Sequence, residues 1–147
     1  IFNKAIGAEV FNPPFADAPD EFMPDIISIA YGTNDWSKQV SAENIEKNAT
    51  DFVTNLRKHY PDAPIIAILP IWRKDMEESR LSGQLRDAIT VLKQVYVQFD
   101  NITVVEGMPL VPHLPEFYAD GYLHPNDTGF LLYGNNLVKN LDLTKFC

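Results

Sequence analysis

Two patterns of apolar residues alternate along the chain. Residues 42–59 place Ile45, Ala49, Phe52, Val53 and Leu56 at the spacing of one helical face. Residues 80–99 repeat that spacing with Leu81, Leu85, Ala88, Ile89, Leu92, Val95, Tyr96 and Phe99, and residues 127–141 with Phe130, Tyr133, Leu137, Val138 and Leu141. Ser41 stands where an N-cap is needed, with Glu43 in the first turn and Arg57-Lys58-His59 in the last, as the helix dipole favours. Between these segments lie nearly continuous apolar runs at 26–31, 65–69 and 102–105. Short runs rich in β-branched residues predict strands buried on both faces, as in a parallel sheet. Asp62-Ala63-Pro64 and Asp100-Asn101 supply the preceding turns. Residues 1–6 read as a further partial strand.

Strict strand–helix alternation predicts one domain over residues 1–147, a three-layer α/β/α fold around a parallel sheet. Residues 8–24, with four prolines, predict an irregular connection, and residues 106–123, with three, a long loop of the kind that carries function. No internal repeat or linker divides the chain.

Composition narrows the classes of partner. Twelve basic against twenty acidic residues give a net charge of −8, which disfavours phosphate backbones and anionic lipid. No apolar run approaches the ~20 residues that span a bilayer. Cys147 has no internal disulfide partner, and no Cys/His spacing resembles a zinc site. The triplets at Asn48, Asn101 and Asn126 fit the glycosylation pattern but arise often by chance. The opening Ile1-Phe2-Asn3-Lys4, with neither Met nor a signal pattern, leads us to expect a fragment or processed chain and leaves the compartment open.

In a parallel sheet, ligands bind beyond the carboxyl ends of the strands. Three blocks fall there: Gly7 after residues 1–6, Tyr31-Gly32-Thr33-Asn34-Asp35-Trp36, and Asp120-Gly121-Tyr122-Leu123-His124-Pro125-Asn126. Singly, each reads as a turn or a loop before a helix cap. Together they offer an amide donor, a backbone donor at a glycine, and an imidazole with a carboxylate upstream. Acyl transfer needs such parts: a base to take and return a proton, a carboxylate to orient it, and donors facing the developing oxyanion.

Ile29 to Asp35 resembles the Gly-x-Asn-Asp block of SGNH (GDSL-type) hydrolases, and Asp120 to Asn126 their closing Asp-x-x-His-Pro block. Asn3 to Gly7 resembles the block with the family's glycine oxyanion donor, and Pro70-Ile71-Trp72-Arg73 a stretch seen in some members. The resemblance runs through essentially the whole chain in the right order. It implies a flavodoxin-like fold and a serine esterase, lipase or acylhydrolase that uses no metal or cofactor. His124 would be the general base, Asp120 its orienting carboxylate, and Gly7 and Asn34 the oxyanion donors. The implied partner is a small-molecule ester, a lipid or acylated carbohydrate. Trp36 and Trp72 follow strand ends and either line its pocket or pack in the core.

Two departures stand out. Asp120 lies four residues before His124, one more than is usual in the family, which requires a bulge-like turn at Gly121 or a weaker role for the acid. More importantly, no Gly-Asp-Ser block is present. The serines are Ser28, Ser37, Ser41, Ser79 and Ser82, and only Ser37 is expected near the site edge. That block follows the family's first strand, the centre of a 2-1-3-4-5 sheet. The expectation is therefore that this strand and its serine belong to a cleaved or upstream N-terminal segment, still bound or absent. A rival reading is a non-catalytic α/β binding module that keeps the outline of the site. A receiver-like module is disfavoured by the lack of a phosphate-cradling glycine loop.

Overall fold

The structure is a computed structural model that describes residues 1–142; Cys147 lies outside the described residues. Three strands, β1 (Ile27–Ile29), β2 (Ile65–Ile68) and β3 (Ile102–Val105), form a parallel sheet in the order β1-β2-β3. Ile27 pairs with Ile65 and Ile65 with Ile102, so the three runs are in register at their first residues. The helices are α1 (Pro13–Ala16), α2 (Thr33–Ser37), α3 (Ala42–His59), α4 (Leu85–Tyr96) and α5 (Asp127–Asn140).

Alternation along β2 builds the layers. Ile65 and Ala67 face a core with Ile45, Ala49, Phe52 and Val53 of α3 and Leu85, Ala88, Leu92 and Val95 of α4. Ile66 and Ile68 face the other way, toward Leu110, Val111 and Tyr118 and the Tyr133–Leu137 side of α5. Helices thus flank a small parallel sheet on both faces, as the alternation predicts. Each large aliphatic side chain buried here contributes roughly 1.5–3 kcal/mol.

The ends of the elements follow local chemistry. Ser41 caps α3 by accepting the Asn44 amide at 3.3 Å. At the other end Arg57 leaves solvent and donates to the carbonyls of Ala63, Asp100 and Asn101, clamping the turns that open β2 and β3.

Several expectations are corrected. Residues 1–6 form no strand: the Asn3 side chain accepts the Ala5 amide, bending the backbone, and Phe2 stacks on Phe22 at 3.9 Å. The helix expected over 80–99 spans only 85–96. Arg80 and Gly83 exchange two backbone hydrogen bonds around a reverse turn that needs Gly83 at φ +84°. Ser82 therefore belongs to that turn and Leu81 is exposed. The 26–31 run keeps only three residues in the ladder. The irregular 8–24 connection contains α1, residues 33–37 coil into α2, and two 3-10 turns, Met108–Leu110 and Pro115–Phe117, order the long loop. On α5, Phe130 and Val138 of the expected buried stripe are exposed.

Candidate active site

The 120–124 turn is built by one carboxylate. Asp120 Oδ1 accepts the amides of Tyr122, Leu123 and His124 at 2.9, 2.8 and 3.1 Å. Its Oδ2 lies 2.6 Å from His124 Nδ1. The four-residue spacing is absorbed at Gly121, whose φ of +64° is left-handed and suits a residue without Cβ. Desolvation opposes ionisation of Asp120. The Leu123 amide, the His124 ring and the Tyr122 and His124 amides outweigh it, holding the carboxyl well below the usual carboxylate range. The His124 side chain is 75% exposed, with Nδ1 tied to Asp120. A carboxylate that fixes one ring nitrogen leaves the other to take up a proton. Behind the turn, Tyr118 and Pro125 form a bridge, and Asn126 caps α5 by accepting the Gly129 amide.

The Asn34 loop is built around Asp35, which is fully buried. Its carboxylate accepts the Phe11 amide at 3.0 Å and the Gly32 amide at 3.1 Å, capping α2 and pinning the 8–11 segment to it. Burial raises the Asp35 pKa, against the pull of those amides. Asn34 Nδ2 donates to the Glu9 carbonyl at 3.0 Å, two residues beyond Gly7. Gly7 lies in an exposed turn closed by the Glu9 amide on the Ile6 carbonyl. The structure therefore brings Asp120 and His124 together and ties Asn34 to Glu9, while Gly7 stands in the exposed turn two residues before Glu9.

Between the groups stands Arg73, which the sequence reading left without a role. Its Nη1 lies 3.2 Å from Thr33 Oγ1, and its guanidinium sits 5.9 Å from the Tyr122 ring. Trp36 is wholly buried, with Arg73 4.8 Å and Arg80 4.1 Å from its ring and its Nε1 on the Gly83 carbonyl. Of the two readings given for Trp36, pocket lining or packing, its complete burial beneath two cations favours packing. Trp72 is half-buried and lies against Tyr118 and His113. An apolar cavity of about 150 Å³ opens at the ends of β1 and β2, lined by Ala30, Tyr31, Thr33, Pro70, Ile71 and Tyr133 among others.

The serines are dispersed. Ser37 Oγ donates to the Asn34 carbonyl at 3.4 Å, Ser41 caps α3, and Ser82 is buried. Ser28 and Ser79 are exposed, the first on β1 and the second in the turn before α4. Among the described residues, no serine hydroxyl hydrogen-bonds His124, no cluster of three or more His, Cys, Asp or Glu is placed to hold a metal, and no helix is long and apolar enough to cross a membrane.

Solved structures share this architecture. A salicylyl-acyltransferase, SsfX3, from a tetracycline biosynthetic pathway superposes with a TM-score of 0.71 at 19% identity, over 88% of this chain and 40% of its own. A candidate GDSL-like lipase from Bacteroides ovatus gives 0.72 at 22% identity, over 92% and 40%. A family 3 carbohydrate esterase from Talaromyces cellulolyticus gives 0.55 at 20% identity, over 79% and 58%. At these identities the likeness is one of fold, and the chain spans less than two thirds of each of these proteins. A search of curated protein sequences finds no match. The model of the GDSL-like lipase/acylhydrolase family matches residues 5–131, most of the chain, and the protein belongs to that family.

Proposed function

We propose that this chain supplies the acid–base and oxyanion half of an SGNH-type serine esterase or acylhydrolase. The single observation that carries the reading is the Asp120–His124 pair, 2.6 Å apart, on a histidine side chain that is 75% exposed. In the reaction a serine hydroxyl attacks the acyl carbon while its proton passes to His124 Nε2. The carbonyl oxygen becomes negative and is held by the Gly7 amide and Asn34 Nδ2. That side-chain amide has two hydrogens, so one remains after the bond to Glu9. Collapse of the tetrahedral intermediate expels the alcohol, which takes the proton back from His124. Water, or a second acyl acceptor, then repeats the sequence in reverse.

The nucleophile comes from a segment outside residues 1–147. Three observations support this part of the reading. Of the five serines, Ser37 is hydrogen-bonded to the Asn34 carbonyl, Ser41 caps α3 and Ser82 is buried, and the exposed Ser28 and Ser79 make no hydrogen bond to His124. Among the described residues, strand β1 has a neighbour on one side only. Solved structures with the same fold are considerably longer than this chain. A strand laid along the free edge of β1 would complete a flavodoxin-like sheet and bring its carboxyl end to the row of site loops. The substrate class that fits is a small ester, an acylated carbohydrate or lipid.

The test compares the 147-residue chain with the protein that includes its upstream-encoded segment, using a fluorophosphonate probe and a p-nitrophenyl ester. The longer protein is expected to take up the probe on a serine of that segment and to turn over ester, with H124A slowing turnover ~10²–10⁴-fold. The short chain alone is expected to do neither. Turnover that depends on His124 in the short chain overturns the external nucleophile. A longer protein that neither labels nor turns over overturns the enzyme and favours a binding module.

A further inference from the structure

Several loops at the site end of the sheet converge on one buried cation. Arg73 is 4% exposed and uses every face of its guanidinium. Nε and Nη2 bond the two oxygens of Asp75 at 2.5 and 3.0 Å, and Nη1 lies 3.3 Å from the Thr33 carbonyl and 3.2 Å from its hydroxyl. Asp75 in turn receives Arg80, and Arg73 and the phenol of Tyr122 help hold its carboxyl below the usual range against the cost of burial. The Lys74 amide, between Arg73 and Asp75 in the chain, donates to the Tyr122 carbonyl at 3.0 Å. A buried ion pair returns little net stability, because desolvation offsets the attraction. Its consequence lies in the geometry it fixes. Thr33 immediately precedes Asn34, and Tyr122 lies two residues before His124.

We propose that Arg73 is a positioning residue that, through Asp75 and Tyr122, locks the Asp120–His124 turn at a set distance from the Asn34 loop. An arginine suits this task because its planar fork serves Asp75 with one edge and Thr33 with another, which a lysine ammonium cannot do. Tyr122 completes the span: its backbone carbonyl is held by Lys74 and its ring lies beside the guanidinium, and the Asp75 carboxylate raises the pKa of its phenol. Without these contacts, the 120–124 turn would be held by Asp120 from within, by the Gly121 amide on the Tyr118 carbonyl, and by the Tyr118–Pro125 bridge at its base.

The experiment is an NMR comparison of the protein with its R73M and Y122F variants. R73M leaves Asp75 neutralised by Arg80, and Y122F removes one oxygen and no charge. Two signals report on the turn: titration of the Asp120 side-chain carbon, and hydrogen exchange of the Leu123 and His124 amides that Asp120 accepts. In both variants the Asp120 titration is expected to move up toward the ordinary carboxylate range. Exchange at the two amides should quicken ~10-fold or more, while Val53 and Leu92 exchange as before. Folded Y122F with both signals unchanged overturns the proposal. Should R73M fail to fold, Y122F decides alone. The proposal rests on the reading of His124 as proton carrier, yet its readouts need no turnover. An inactive longer enzyme that shows these responses sinks the proton-carrier reading alone, and an active one without them sinks the role of Arg73 alone.

Discussion

Helices α4 and α5 both carry apolar residues at helical spacing, more sharply confined to one face on α4, and they meet opposite fates in the fold. On α4, Leu85, Ala88, Ile89, Leu92, Val95 and Tyr96 are all buried between the sheet and α3. On α5 only Gly129 is buried; Tyr133 and Leu137 are half-covered, and Phe130, Leu131 and Val138 are 59%, 64% and 56% exposed. The sheet shows the same asymmetry. Strand β2 has neighbours on both sides, whereas β1 has one, and Ser28 and Ala30 are exposed. Periodicity decides which residues share a face. Whether a partner exists for that face is a separate matter, and on the α5 and β1 side this chain leaves the face partly open.

The sharpest way to break this comparison is to truncate one leucine in each helix. L92A removes a fully buried side chain from α4 and is expected to cost ~2–5 kcal/mol. L131A on α5 should stay within about 0.5 kcal/mol. Urea denaturation of both variants measures the difference, and equal losses would mean that α5 is covered after all. Next in size is D35A, which strands the Phe11 and Gly32 amides and should cost about 2–4 kcal/mol in the same assay.

A smaller effect appears in acid. Because the Asp120 carboxyl is held below its ordinary range in the folded chain, its contribution to stability is complete above the unfolded pKa of about 4. It is lost as pH falls through the depressed folded value. D120N lacks this term, so from about pH 5 downward it should lose less stability than the parent. The side chain is 39% exposed, and screening holds the difference to about 1 kcal/mol. A parent and D120N that lose stability in parallel on acid titration would refute it. The smallest effect belongs to the exposed Lys47–Asp51 pair on α3, where K47A should change stability by about 0.5 kcal/mol or less.

Sequence reading located α3 to the residue and all three ladder strands, because those elements bury a full stripe or run against close neighbours. It failed at residues 1–6, where a few apolar residues suggested a strand that has no partner, and at 80–84, where a glycine turn mimics a helix start. The Asp120–His124 pair was legible because both members sit in one loop. Arg73, Asp75 and Arg80 were not legible as a unit. Their meeting with Thr33 and Tyr122 depends on three separate loops arriving at one place, and only the arginine after Trp72 hinted at it. Asp35 was read as part of a motif, but its work is local, holding two backbone amides inside the core.

The stacking of two guanidiniums on Trp36 gives the molecule a natural optical probe. Of its two indoles, Trp36 is sealed from solvent and Trp72 is half-exposed. Iodide should therefore quench only the second, leaving an emission that comes from beneath Arg73 and Arg80. That residual light reports directly on the charged cluster. Its shift during binding or assembly would show, without any label, whether the cations stay seated on the ring when the site is completed.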